Sequence, residues 1–287
     1  MSRTRATSIG FGAVLLWATL ALFTVGASDI PPFQLTALCF GLAGVLGLIW
    51  MAATGRKPGR LPLRVWAIGV LGLFGYHALY FTALQNAPPA EAGLIAYLWP
   101  LLIVIFSGLL PGEALKARHL IGAVIAGSGA ALILIGGGVS FSGGFATGYL
   151  AAIACAFVWS GYSVLSRVVG DIPTEAVAYF CLATAALSAA THLFLETTVW
   201  PSDTLGWASV AALGLGPVGL AFFLWDIGVK HGDIQLLGTT SYAAPLLSTL
   251  ILVGVGAAPL TLTLALAAIL ITGGAVIAAG VFSNDQA

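Results

Sequence analysis

The chain has 287 residues, of which 60% are hydrophobic and 7% are charged, and its formal net charge is zero. A soluble domain carries about 25% charged residues, so this composition excludes a water-exposed globular surface and predicts a polytopic membrane protein. The neutral balance leaves no basic patch for nucleic acid. Cys39, Cys155 and Cys181 each fall in apolar segments and have no spacing typical of a disulfide framework.

Ten apolar segments approach the roughly 20 residues that a membrane-crossing helix needs. The first is longer than the ~7–15-residue apolar core of a signal peptide, which favours a retained span. The connecting segments are short and leave no room for a soluble domain. We therefore predict an all-α fold with transmembrane helices at 7–26, 32–53, 65–85, 92–111, 119–136, 147–166, 175–195, 205–229, 235–256 and 260–282.

The sequence contains an internal repeat. A first motif recurs at an offset of 142 residues, with Trp17, Asp29 and Cys39 matched by Trp159, Asp171 and Cys181. A second motif recurs at an offset of 145 residues, with Gly93, Tyr97 and Pro100 matched by Gly238, Tyr242 and Pro245. Five spans in each copy reverse its direction, which predicts two inverted five-helix repeats at residues 1–138 and 139–287. Inverted repeats around a central site are typical of secondary transporters.

The basic residues predict the orientation. With ten spans, all ten Lys and Arg residues fall on the side that holds both termini: Arg3, Arg5, Arg56, Lys57, Arg60, Arg64, Lys116, Arg118, Arg167 and Lys230. Since positive loops stay in the cytoplasm, both termini are expected to be cytoplasmic.

Few polar side chains could carry chemistry inside the membrane. The sequence holds no protease, hydrolase or nucleotide-binding signature and no metal-ligand spacing, so no cofactor is expected and nothing supports an enzyme. Asp226 lies four residues before Lys230, which favours an ordinary helical ion pair. His77, near the middle of the third span, could shuttle protons or could be a neutral side chain bonded to a carbonyl of a neighbouring helix.

Aromatic side chains lie deep within several spans. An indole N–H or phenol O–H needs a partner there, which a bundle interior or a wet cavity supplies. Simple aromatic packing between helices is the alternative for any one of them. Pro100 and Pro245 each remove a backbone hydrogen bond and are expected to kink their helices, which frees carbonyl groups that could bind a substrate ammonium group.

These residues resemble the drug/metabolite transporter superfamily in its ten-helix EamA-type branch, with a Trp in the first helix and a Pro in the fourth helix of each half. The Leu98-Trp99-Pro100-Leu101 segment, with His77 and Tyr80 upstream, is similar to bacterial aromatic amino-acid exporters of that branch. The resemblance implies a cavity lined by helices 1, 3, 4, 6, 8 and 9, with helices 5 and 10 at the periphery. The implied substrate-binding residues, with Ser241 inferred from its place in helix 9, are Trp17, His77, Tyr80, Tyr97, Trp99, Pro100, Trp159, Tyr162, Ser241, Tyr242 and Pro245.

The expected function is export of amino acids, either aromatic and neutral ones or a broad range, across a bacterial inner membrane by alternating access. The expected partners are these small molecules and the lipid bilayer, and a monomer is favoured. The alternatives are an exporter of other metabolites or drugs, an integral-membrane enzyme and a non-transporting scaffold. Phosphorylated or nucleotide-linked substrates are disfavoured, because anions would need Lys or Arg in the cavity.

The topology can be tested by cysteine labelling in intact cells on a background without the three native cysteines. Single cysteines at Gly143 and Ser202 should react with an impermeant thiol reagent, because both positions fall on the side that lacks basic residues. A cysteine at Gly59 should not react. Labelling at Gly59 would contradict the predicted orientation.

Overall fold

The computed structural model describes residues 1–135, 141–169, 172–256 and 259–280. The proposed repeat boundary at 138/139, Asp171 and the predicted end of the last span at 282 lie outside these ranges. Within them, ten helices are long and apolar enough to span a membrane, which confirms the predicted number. In chain order they are α1 (Arg3–Gly26), α2 (Pro32–Thr54), α3 (Leu63–Asn86), α4 (Pro89–Ser107), α5 (Ala117–Leu134), α6 (Gly143–Val168), α7 (Ala176–Leu195), α8 (Thr204–His231), α9 (Ile234–Gly254) and α10 (Leu262–Ala279).

Capping residues explain where the helix ends differ from the predicted ones. Helix α1 starts at Arg3, four residues early, because the Ser2 hydroxyl accepts a hydrogen bond from the backbone N–H of Arg5 at 3.3 Å. Helix α4 starts at Pro89 rather than at residue 92, since proline is favoured in the first turn, where no N–H is needed. It ends at Ser107, four residues before the predicted end at 111.

The two halves pack mainly against each other. The closest helix pairs are α5 with α10, α2 with α7, α1 with α8, and α3 with α6. Helices α1 and α6 are equivalent in the repeat, as are α3 and α8, so the last two pairs are copies of one interface. The central helices α4 and α9 also pack on each other. This arrangement is consistent with the predicted inverted repeat of five helices.

Five helices near the centre are interrupted, and α1 breaks at Thr19, between Arg3–Ala18 and Leu20–Gly26. Helices α3 and α8 each contain one wide π-helical turn, at Leu71–Gly75 and Gly216–Leu220. The two turns are 145 residues apart, which is the offset of the second sequence motif. Helices α4 and α9 break between Pro89–Ala96 and Trp99–Ser107, and between Ile234–Thr240 and Ala243–Gly254. The proline motif predicted the second pair of interruptions, whereas nothing in the sequence analysis indicated the π-helical turns.

Repeat-related aromatic side chains touch each other across the centre. The ring centroids of Trp17 and Trp159 are 5.7 Å apart, and those of Tyr97 and Tyr242 are 6.3 Å apart. A residue that contacts its own repeat equivalent must lie near the axis that relates the two copies. The axis of the predicted inverted repeat is therefore expected to pass between these rings.

Small residues set the spacing between α5 and α10. A Cβ atom added to Gly274 would lie 2.5 Å from the carbonyl oxygen of Gly122, and one added to Gly122 would lie 2.5 Å from that of Gly274. Close backbone approach through small residues is the usual way in which membrane helices associate. A Cβ atom added to the neighbouring Gly273 would have no other atom within 4 Å.

The Gly274→Val variant should therefore lose stability, because its side chain forces two backbones apart. Overpacking of this kind costs about 1–3 kcal/mol. Gly273→Val is the matched control, with the same change one residue away in open space. Thermal unfolding in detergent should show a lower melting temperature for Gly274→Val alone. Equal melting temperatures for the two variants would show that the α5–α10 spacing does not depend on this contact.

Candidate functional site

A cavity of about 280 Å³ lies at the centre of the bundle. Seven helices contribute to its wall: α1, α3, α4, α5, α6, α8 and α9. The expected set lacked α5, which supplies Leu134 at its last residue. The lining residues are Trp17, Leu20, Ala21, Tyr76, His77, Tyr80, Ala96, Tyr97, Trp99, Leu134, Trp159, Pro217, Val218, Phe222, Ala244, Pro245 and Ser248.

Seven of the eleven predicted binding residues lie on this wall: Trp17, His77, Tyr80, Tyr97, Trp99, Trp159 and Pro245. The other four lie elsewhere. Tyr242 packs behind Tyr97 at a separate groove between α4 and α5, and Pro100 is buried at the start of the second half of α4. Ser241 is fully buried, and its hydroxyl donates to the Leu237 carbonyl at 2.7 Å. Tyr162 faces a small cleft beside Asp226 and Lys230.

Four tryptophans from four helices meet at the cavity. Trp17 contacts the other three. Its ring centroid lies 6.0 Å from that of Trp99, 5.7 Å from that of Trp159 and 5.1 Å from that of Trp225. Most of these contacts are edge-to-face, a geometry that the ring quadrupole favours. Trp225 is fully buried, and its indole N–H donates to the Ser163 hydroxyl at 3.0 Å. The rings therefore form a continuous apolar wall joining both halves of the chain.

Carbonyl groups in the π-helical turns bind side chains of the cavity wall. The indole N–H of Trp17 donates to the carbonyl of Pro217, inside the turn of α8, at 3.1 Å. Nδ1 of His77 lies 2.7 Å from the carbonyl of Leu73, inside the turn of α3. Because a carbonyl only accepts, His77 donates through Nδ1. The expected bond to a carbonyl therefore exists, but its acceptor lies on the same helix rather than on a neighbouring one.

Ion pairs close the bundle at the face that holds the N-terminus. The buried carboxylate of Glu113, in the α4–α5 connection, binds Arg167 of α6 at 2.6 Å and Arg3 of α1 at 3.0 Å. Arg167 also donates to the carbonyl of Gly232 at 3.1 Å, and Arg3 lies 3.3 Å from a carboxylate oxygen of Asp233. One acidic group thus joins the equivalent helices α1 and α6. Sequence reasoning missed Glu113, which belongs to neither repeat motif.

A second polar cluster lies on the same side of the molecule. Lys230 binds the carboxylate of Asp226 at 2.8 Å, which confirms the predicted helical pair. Thr174, before α7, donates to the same carboxylate oxygen at 2.7 Å, and Lys230 donates to the carbonyl of Ile172 at 2.8 Å. The pair therefore also joins α8 to the segment that precedes α7.

The cavity extends the other way, towards the opposite face. Its residues on α1, α3 and α9 lie in the later part of each helix, and Leu134 is the last residue of α5. These helices all run away from the face that holds the N-terminus. On these helices the cavity wall therefore lies in the half of the bundle away from the ion pairs.

The sequence analysis missed two residues at the cavity that could have been predicted by applying the repeat offset to His77 and Tyr80. Adding 145 to His77 and Tyr80 gives Phe222, which lines the cavity, and Trp225, which backs it. The rings of His77 and Phe222 are in contact, with centroids 6.3 Å apart. The cavity-lining hydroxyl on α9 belongs to Ser248, seven residues after Ser241, and no motif marked it.

The chemistry of the wall is neutral. The lining residues of the described chain include no Asp, Glu, Lys or Arg, and their polar groups are phenols, indoles, one imidazole and one hydroxyl. Within the described residues, no group of three or more His, Cys, Asp or Glu side chains could hold a metal ion. This wall can bind an uncharged or zwitterionic molecule through aromatic contacts and hydrogen bonds.

Ten membrane helices around a central cavity have the architecture of a secondary transporter. The family model of the EamA-like transporter family matches residues 4–135 and 146–280, so the chain belongs to this family. The two matches correspond to the two five-helix halves.

Several relatives of this chain are named as exporters. The aromatic amino acid exporter YddG of Ancylobacter novellus is 55% identical over 97% of this chain and 98% of its own length. YddG of Escherichia coli is 26% identical over 96% of this chain and 97% of its own length. A probable terminal-alkyne amino-acid exporter of Streptantibioticus cattleyicolor is 25% identical over 80% of this chain and 81% of its own length.

A solved structure agrees with the fold. A crystal structure of a protein that is 55% identical superposes with a TM-score of 0.94, covering 97% of this chain and 99% of that one. The helix arrangement of this chain therefore has a close counterpart of known structure.

Proposed function

We propose that this protein exports amino acids, including aromatic and neutral ones, across a bacterial inner membrane by alternating access. The observation that carries the proposal is a neutral, aromatic-walled cavity at the centre of an EamA-type bundle. Its volume of about 280 Å³ is near the lower end of the roughly 300–1,000 Å³ typical of small-molecule sites. A single amino acid suits this size better than a nucleotide or a large drug.

The wall matches a zwitterion with an apolar side chain. Opposite charges within one ligand cancel, so the site needs no ionised partner, whereas a phosphorylated ligand would need Lys or Arg. Aromatic rings such as Tyr76, Tyr80 and Trp159 would hold the side chain.

The interruption of α4 offers an acceptor for the ammonium group. Pro100 has no N–H, so the carbonyl of Ala96 lacks its usual helical donor, and Ala96 lies on the cavity wall. The equivalent carbonyl in α9 belongs to Ser241, which is away from the cavity and accepts from the N–H of Ala244 at 3.1 Å. We therefore assign the ammonium group to the α4 side of the site.

The proposed cycle rocks the two halves, residues 1–138 and 139–287, about the tryptophan cluster. Separation at the face that holds the N-terminus would break the ion pairs that cross the halves, Glu113 with Arg167 and Arg3 with Asp233. In the proposed orientation that face is cytoplasmic, because all ten basic residues belong to it. The described conformation is then the outward-facing one, ready to release substrate.

The substrate site can be tested by changing Tyr80, a partly buried ring on the cavity wall. Burying an apolar side chain contributes about 1.5–3 kcal/mol, and one aromatic wall supplies part of this. The Tyr80→Ala variant should weaken binding of Phe roughly ten-fold, equivalent to about 1.4 kcal/mol, and should weaken binding of Ala less. Isothermal titration of purified protein with Phe, Trp, Leu and Ala gives the affinities.

Tyr149→Ala is the matched control. Tyr149 is also partly buried, but it packs on Phe141 and Phe145, outside the cavity. Its variant should bind every amino acid as the unmodified protein does. If Tyr80→Ala and Tyr149→Ala bind Phe equally well, the cavity is not the amino-acid site. Binding of a sugar phosphate or nucleotide instead would contradict the proposed substrate class.

The gate can be tested with Glu113→Gln. Removing the charge leaves Arg167 without its ionic partner, and such losses cost about 2–5 kcal/mol in the state that holds the pair. The variant should shift the population towards the inward-facing state. A reporter cysteine at Ser166, buried in the cleft beside Tyr162, should then be labelled several-fold faster in inside-out vesicles.

Glu175→Gln serves as the control for the gate. Glu175 lies on the same face but makes only one longer contact, 3.7 Å from the exposed guanidinium of Arg56. Its variant should leave labelling at Ser166 unchanged. Equal labelling rates in Glu113→Gln and the unmodified protein would show that this carboxylate does not hold the gate closed.

A further inference from the structure

A second large space lies on the outer surface of the bundle, between α2 and α8. It measures about 670 Å³ and is separate from the central cavity. Its wall is almost entirely apolar, and only its end near Arg56, Thr174 and Glu175 is polar. The remaining lining residues are Ala43, Leu46, Gly47, Trp50, Gly214, Leu215, Gly219, Leu220, Phe223, Leu224 and Ile227.

The groove faces lipid and has the length of one leaflet. Trp50 is 59% exposed, and Leu215 and Leu220 are each 51% exposed on its rim. Its residues on α8 run from 214 to 227, a rise of about 20 Å at 1.5 Å per residue. Half of a hydrocarbon core of about 30 Å is about 15 Å. An apolar groove of this length at a lipid-facing surface matches one acyl chain.

The polar end of the groove carries available positive charge. The guanidinium of Arg56 lies 3.7 Å from Glu175 and makes no hydrogen bond to any residue that the structure describes. Three more cations, Lys57, Arg60 and Arg64, follow in the same connection, all exposed and without an ion pair among the described residues. Basic segments beside membrane helices attract anionic lipid headgroups.

We propose that this groove is a binding site for one anionic glycerophospholipid, with an acyl chain between α2 and α8 and the phosphate on Arg56. The π-helical turn of α8 lies between this groove and the central cavity. Gly219 and Leu220 of that turn line the groove, while Pro217 and Val218 line the central cavity. The lipid therefore packs behind the turn whose Pro217 carbonyl holds Trp17. This site is independent of what the central cavity transports.

Native mass spectrometry of the delipidated full-length protein tests the site. Phosphatidylglycerol and phosphatidylcholine with identical acyl chains are added back in turn. The unmodified protein should retain one phosphatidylglycerol at several-fold higher occupancy than phosphatidylcholine. Arg56→Gln should lower phosphatidylglycerol occupancy several-fold and remove the preference. Arg60→Gln, in the same connection but outside the groove, should retain most of it.

The apolar part of the groove is tested separately. Leu46→Trp fills the groove and should lower occupancy by both lipids. Leu48→Trp is its matched control, because Leu48 is 38% exposed against 39% for Leu46, on the same helix, but does not line the groove. Melting temperatures verify that each variant is folded.

Three outcomes would overturn the proposal. Equal retention of both lipids in all four variants would mean that lipid coats the protein without a site. Displacement of phosphatidylglycerol by inorganic phosphate alone would mean a headgroup site without the groove. A dimer that disappears in Leu46→Trp but persists in Leu48→Trp would mean that a second copy of this chain occupies the groove.

Discussion

The bilayer supplies no water to hydrogen-bond a bare backbone group, and this constraint explains where the helices of this protein are irregular. Unpaired N–H and C=O groups persist at membrane depth only where protein or a wet cavity satisfies them. All five interrupted helices, α1, α3, α4, α8 and α9, contribute to the central cavity. The side chain of Trp17 reaches a carbonyl inside one π-helical turn, and that of His77 reaches one inside the other. The irregular backbone is therefore found where side chains of the cavity wall, or the cavity itself, can satisfy its free polar groups.

The same arrangement suits a transport cycle. Regular helices pack along their whole length and resist bending, whereas a helix with a missing or shifted hydrogen bond can change direction there. The interruptions of α3, α4, α8 and α9 occur in equivalent places in the two halves, so each half can bend at the level of the central cavity. The ends of the bundle are held differently: a buried carboxylate, Glu113, joins α1 and α6 at one face.

Hydropathy and the repeat together predict most of the fold, because span length and repeated motifs are local features of the sequence. The number of spans and the Asp226–Lys230 pair are confirmed. The residues that line the cavity were harder to predict, since they depend on which face of a bent helix points towards the centre of the bundle. Ser241 was chosen from its position in α9, but the break at residues 241–242 leaves it buried and puts Ser248 on the wall. No sequence motif marks Glu113, because its partners Arg3 and Arg167 are each more than fifty residues away along the chain.

Counterflow in proteoliposomes tests the central claim most directly. Vesicles loaded with unlabelled Phe are diluted into a trace of radiolabelled Phe at the same pH on both sides. The neutral cavity predicts transient accumulation of label without a pH gradient, because no carboxylate lines the described site to couple protons. Competition by Trp, Tyr and Leu should exceed that by sugar phosphates or nucleotides. Absence of counterflow with every amino acid, alongside exchange of a phosphorylated metabolite, would contradict the account.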